Sequence, residues 1–186
     1  MGMGIANFID AALDEHRSQR RDVALALACA ALDATSAKAY PGKKSGERYR
    51  AFVRDNLDVI TAFGFPGLQA GAIRLRARVD GALDKKDIDA DGYVGIEAIL
   101  YTIVRCGLVH ECDIGSQVEF TQHTAIGDFT KPFPLPENLV LGLVASVVLH
   151  PKNIGETSRG DLHLEYGGRP YFLNDLWGKG KSVMSF

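Results

Sequence analysis

The sequence predicts a mainly α fold with a small β appendage, on three observations. Apolar residues recur at helical spacing through most of the first 112 residues. Strand-like patterns are short and gather late: one near 118–121 and a hairpin near 162–173, with a single earlier strand near 72–79. Of the 186 residues, 46% are hydrophobic and 24% charged. That balance excludes wholesale disorder and is enough for a core without cross-links. The length suits one domain, 1–186, with residues 1–112 as a helical bundle and 113–186 as a smaller α/β extension packed on it.

The helices follow in order. Residues 5–17 place Ile5, Phe8, Ile9, Ala12 and Leu13 on one face. Residues 20–40 carry a stripe of Ala24, Leu25, Ala28, Cys29, Leu32 and Ser36, and Tyr40-Pro-Gly ends it. Asp33 lies beside that stripe and needs a partner, most simply an arginine. Residues 45–63 repeat Tyr49, Phe52, Val53, Leu57 and Ile60, with Arg50 and Arg54 as an exposed basic row. Residues 93–109 use Ile96, Ile99, Leu100, Ile103 and Val104. Residues 137–149 hold the longest apolar run, Leu139 to Leu149, too short to span a bilayer and better suited to a buried helix.

Between these helices the patterns change. Residues 72–79 alternate strictly, which puts Arg74, Arg76 and Arg78 on one strand face as candidate phosphate contacts for RNA. Pro132 to Pro136 reads as a bend. Gly167-Gly168 turns the late hairpin, which is expected to pair with strand 72–79. Trp177 anchors the C-terminal segment on the domain.

The segment Asp87-Ile-Asp-Ala-Asp-Gly begins like a calcium loop, yet its twelfth position is Ala98 where a bidentate carboxylate belongs. It is better read as an acidic cap, with Asp91 as the N-cap of the following helix. Cys106, His110, Cys112 and His123 form an incomplete zinc pattern without short Cys-x2-Cys knuckles, so neither metal nor any other cofactor is expected.

The net charge of −2 gives no global positive field, and the acidity sits after residue 110. Three cysteines at uneven spacing make no disulfide framework. Free thiols, with no basic and apolar leader at the N terminus, point to the cytoplasm and away from a membrane.

The most informative stretch is Leu100-Tyr-Thr-Ile-Val-Arg-Cys-Gly-Leu-Val-His-Glu. It sets a charged Arg105 and a histidine, His110, late on an apolar helix, with four residues between them and Gly107 available to loosen the backbone. An α-helix would leave the two about 140° apart around its axis. His110 is suited to proton transfer near neutral pH. Arg105 offers a planar fork to phosphate oxygens. Tyr101, Cys106 and Glu111 stand beside them as supporting groups. Glu97, Tyr101 and Arg105 also share one helical row, so Arg105 can instead tie helices together through Glu97 or Asp33.

This arginine-x4-histidine pattern resembles the motif of the HEPN superfamily, all-α domains often found as metal-independent ribonucleases. The resemblance covers the motif and, loosely, the helical pattern of residues 5–112. The family usually carries a polar residue after the arginine, where this sequence has Cys106. The resemblance implies RNA binding or metal-independent RNA cleavage with Arg105 and His110 as catalytic pair, and a two-fold homodimer. It also implies a defence or toxin-like setting with an antitoxin-like protein partner. The alternative is a non-catalytic helical dimerisation or nucleotide-binding module in which Arg105 and His110 are structural.

Overall fold

A computed structural model describes residues 4–76, 83, 85–108, 118–124 and 132–184. Among these the fold is mainly α. Helices α1 (Ile5–Arg17) and α2 (Arg21–Ala39) pack side by side, and Ile9, Ala12 and Leu13 are buried on α1 while Ala24, Ala28 and Cys29 are buried on α2. Small side chains on α2 keep the two backbones close. The turn between them satisfies the last carbonyls of α1: Arg20 N–H donates to Glu15 O (2.9 Å) and Gln19 N–H to His16 O (3.0 Å). This closure needs a left-handed residue after the cap, and Gln19 supplies it at φ 61°.

The single helix expected over 45–63 is two, α3 (Ser45–Asp55) and α4 (Leu57–Gly64). Asn56 breaks it. Its side-chain amide donates to Phe52 O (2.8 Å), the carbonyl its own backbone N–H also reaches at 3.2 Å. A short carboxamide competing for the helical ladder turns the chain here. Helix α4 then packs on α6 (Leu139–Leu149), almost every residue of which is buried, as its apolar run predicts. A Cβ at Gly142 would run into the Ile60 carbonyl, so this crossing is made backbone to backbone.

Strand β1 (Arg74–Arg76) pairs antiparallel with β2 (Tyr93–Gly95), Leu75 facing in and Arg74 and Arg76 out. The late hairpin therefore does not pair with β1, whose partner comes from the residues expected to start the fourth helix. That helix begins instead as α5 (Ile96–Ile99) and continues in π-helical winding over Leu100–Arg105. Asp91 does not cap it. The carboxylate of the preceding turn belongs to Asp89, whose Oδ1 accepts the N–H groups of Asp91 (2.9 Å) and Tyr93 (2.8 Å), with Gly92 left-handed at φ 82°. That turn delivers 93–95 to β1 before the helix can start.

Strand β3 (Val118–Thr121) lies where the sequence predicts it and pairs in parallel with β4 (Phe133–Pro136). The proline-rich segment expected as a bend is thus a strand. In a two-stranded sheet each strand has an open edge, where a proline without N–H costs no ladder bond. Strands β5 (His163–Tyr166) and β6 (Arg169–Phe172) form the expected hairpin, with Gly167 and Gly168 at φ 59° and 73°. After it, α7 (Leu173–Leu176) leads to Trp177, which is buried and donates Nε1–H to Ser158 Oγ (3.1 Å). One cluster of buried apolar side chains runs from Ile5 to Met184. No helix among the described residues is long and apolar enough to cross a membrane.

Candidate functional site

The π-helical turn decides which side chains share a surface. In π winding, hydrogen bonds close five residues apart instead of four, so the faces that side chains take here depart from α-helical spacing. Tyr101 and Cys106 stand at this interval, and both line one cleft of about 510 Å³. The opposite wall is the start of α3, with Lys44 and Arg50; Lys86 enters from a short 3-10 turn at Lys85–Asp87. The first turn of α3 carries no side-chain cap. Gly46 keeps that wall close, since a Cβ there would stand 3.0 Å from the Tyr101 ring.

Charge is uneven in this cleft. Lys44, Arg50 and Lys86 line it against one carboxylate, Glu47. Behind Arg50, Asp87 accepts from its guanidinium at 3.1 Å and fixes the fork, leaving the Arg50 side chain only 17% exposed. The exposed row expected of Arg50 and Arg54 therefore holds for Arg54 alone, and Arg54 pairs with Glu97 (3.0 Å). The Arg50 guanidinium lies 4.6 Å from the Tyr101 ring centre and that of Arg105 lies 5.7 Å away. Tyr49 packs against the same ring at 5.5 Å. Burial raises the Tyr101 pKa, helped by the nearby Cys106 and opposed by the two arginines, so the phenol stays a hydrogen-bond donor at neutral pH.

Arg105 has the partner that Asp33 required. Its guanidinium donates to Asp33 Oδ2 through two nitrogens, at 2.6 and 3.2 Å, with side chains 15% and 18% exposed. Arg48 approaches the other oxygen at 3.9 Å. Partial burial alone would lower the Arg105 pKa; the Asp33 carboxylate outweighs it and holds the guanidinium charged. The row Glu97, Tyr101, Arg105 does not act as one ladder, because π winding separates Glu97, which goes to Arg54, from Arg105, which goes to Asp33.

The remaining sequence candidates divide. Arg74 and Arg76 face outward together, but Arg74 is paired with Asp89. The hollow beside them is electrically balanced, with Arg54, Arg74 and Lys86 against Asp87, Asp89 and Glu97. Arg78, His110, Glu111 and Cys112 lie outside the described residues. None of the described histidines lines the Tyr101 cleft. Among the described residues no group of three or more metal-ligating side chains converges. Cys29 is a core residue, as its alanine-rich setting predicts: Tyr49 donates its hydroxyl to the Cys29 sulfur at 3.3 Å, and burial pushes the thiol up to about 12.

Sequence reasoning missed Lys44 and Gly46 and placed Lys86 only in a loop. The sole trace was the pair of double lysines, Lys43-Lys44 and Lys85-Lys86, and nothing local says that they meet.

The model of the Rv1289 family matches the chain over residues 4–186. The chain belongs to the Rv1289 family. Curated relatives in the family include the uncharacterized protein Rv1289 of Mycobacterium tuberculosis (strain ATCC 25618 / H37Rv) and the uncharacterized protein Mb1320 of Mycobacterium bovis. Each is 32% identical over 159 residues, covering 84% of this chain and 75% of the relative. No solved structure matches the chain.

Proposed function

We propose that this Rv1289-family chain is an RNA-binding module of HEPN-like character, whose phosphate-contacting surface is the Tyr101 cleft. The observation that carries the reading is the convergence of Lys44, Arg50 and Lys86 from separate segments on one concave site beside the Tyr101 phenol, with Asp87 fixing the Arg50 fork. Lysine supplies point charges, and the pre-fixed Arg50 fork supplies directional donors to phosphate oxygens. Arg105 is a positioning residue in this reading. It is held by Asp33 and steadies the π-helical wall that carries Tyr101 and Cys106.

A second reading, metal-independent endoribonuclease, is favoured by one observation. The sequence sets His110 five residues after Arg105, and Asp33 holds the Arg105 guanidinium charged on the helix that leads to it. Both readings are tested together by incubating purified protein with single-stranded RNA in EDTA and measuring binding and cleavage. Binding should weaken with salt, with a log–log slope of about −2 for three phosphate contacts. Lys44→Ala should reduce that slope by about 0.7. Salt-independent or absent RNA binding overturns the proposal. Cleavage lost in both Arg105→Ala and His110→Ala would establish the nuclease; intact RNA would end that second reading.

A further inference from the structure

We infer that the C-terminal segment Gly178–Val183 is an acid-sensitive strap: Lys181 fastens it across the ends of two helices, and protonation of the adjoining His150 loosens it.

The strap grows from the run Gly178-Lys-Gly-Lys. It supplies donors that two helix ends lack. Gly178 N–H donates to Val148 O (2.9 Å) and Gly180 N–H to Leu149 O (2.8 Å), the last carbonyls of α6. The Lys181 ammonium donates to Asp55 O (2.8 Å), the last carbonyl of α3, and to the carboxylate of Asp58. Both glycines are left-handed, at φ 69° and 76°, and a Cβ at Gly178 would stand 2.5 Å from the Ile154 Cα. Trp177 and Met184 are buried at either end, while no residue of the turn Lys181–Val183 is. The strap is thus pinned at its ends and held between them by backbone bonds and one ion pair. Lys181 and Asp58 are 38% and 40% exposed, so that pair is weak.

His150 borders the strap. It lines one cleft of about 310 Å³ together with Gly180, Lys181, Tyr40 and Asp55. Its ring packs on Phe52, and Nδ1 accepts the Lys152 N–H at 3.2 Å, which caps the 3-10 turn Pro151–Asn153. The residue after that turn, Ile154, is the one that Gly178 abuts. A proton on Nδ1 ends the cap, because a ring N–H cannot accept. It also sets a cation beside Lys152 and Lys181; burial and these two charges already hold the His150 pKa below its usual value. The carboxylates nearby are engaged elsewhere: Asp55 takes the Tyr40 hydroxyl, and Asp58 takes Lys181. The loosened form binds the proton more readily than the closed one, so acid favours opening. Opening frees the last carbonyls of α6 and widens the cleft.

The test is hydrogen exchange of the whole chain, read by mass spectrometry at about pH 7.5 and about pH 5.5, on either side of the histidine range. Rates are corrected for the intrinsic effect of pH on exchange. Protection of residues 178–184 should fall at the lower pH by up to about tenfold, the limit for an open-form histidine pKa about one unit higher. The middle of α2 should keep its protection. His150→Gln should remove the pH response of 178–184. Lys181→Met should lower protection there at both pH values and leave the middle of α2 unchanged. Equal protection of 178–184 at the two pH values, a response that survives in His150→Gln, or a loss shared equally by α2 overturns the inference.

Discussion

A partly buried ion pair is a demanding arrangement for two charges, because each loses water and must recover the loss from the other. Asp33 and Arg105 do so through two hydrogen bonds across the gap between α2 and the π-helical segment. Removing either partner leaves the other short of hydration and short of bonds. Asp33→Ala is expected to destabilise the fold by about 2 kcal/mol. For a chain of this size that lowers the melting temperature by about 4–8 °C. Arg105→Ala should cost a similar amount, and the double variant less than the sum, since the two changes break one interaction. Calorimetry that finds additive losses, or none, would remove the pair from the framework. At this scale the sequence is partly legible. An acidic residue beside an apolar stripe announces that it needs a cation, but a chain with 12 arginines does not name which. The sequence names Tyr101 and Cys106 only as neighbours of Arg105 and His110, whereas the cleft they line is shared with Lys44 and Arg50. Their shared face was not legible, because α-helical spacing puts residues five apart on different sides.

Elements with strong periodicity were read well and elements shaped by one residue were not. Helices α1, α2 and α6 and the β5–β6 hairpin follow from repeated apolar spacing or from two adjacent glycines. The break at Asn56 and the π-helical turn are single events in the hydrogen-bond ladder, and the apolar stripe runs through both without interruption. The α1–α2 turn offers a test of local conformational cost. Gln19 occupies the left-handed region, where a side chain meets its own carbonyl and where glycine is unhindered. Gln19→Gly is expected to stabilise the protein by about 1 kcal/mol, raising the melting temperature by about 2–4 °C. Its side-chain oxygen accepts from Arg21 at 3.0 Å, an exposed contact worth little. A lower melting temperature in the glycine variant would show that this contact outweighs the backbone strain.

Two half-buried histidines give the whole molecule a pH response. Burial holds the pKa of His150 below the usual 6.5, and the nearby Lys152 and Lys181 lower it further. His150 packs on Phe52 at 5.0 Å and accepts the Lys152 N–H through Nδ1 at 3.2 Å, which suits the neutral ring. His16 is lowered by burial as well, against the pull of Glu137. In each case the unfolded chain binds the proton more readily than the folded one. Their contribution to stability is therefore present above the unfolded pKa of about 6.5 and is lost as pH falls through the depressed folded value. The melting temperature should fall between about pH 7 and about pH 5, and His150→Gln should flatten part of that slope. A variant with the wild-type slope would show that His150 takes no share in it.

The sequence by itself determined the helical class, most element positions, the burial of the 139–149 run and the need of Asp33 for a cation. These are properties of spacing within one segment, and the hydrophobic effect acts on them locally. Only the tertiary structure decided that Lys44, Arg50 and Lys86 meet Tyr101, that Arg74 is neutralised by Asp89, and that Arg105 goes to Asp33. Charges dozens of residues apart carry no mark of their future neighbours. Their company is set by how the apolar faces pack, and a local electric balance exists only after that packing is complete.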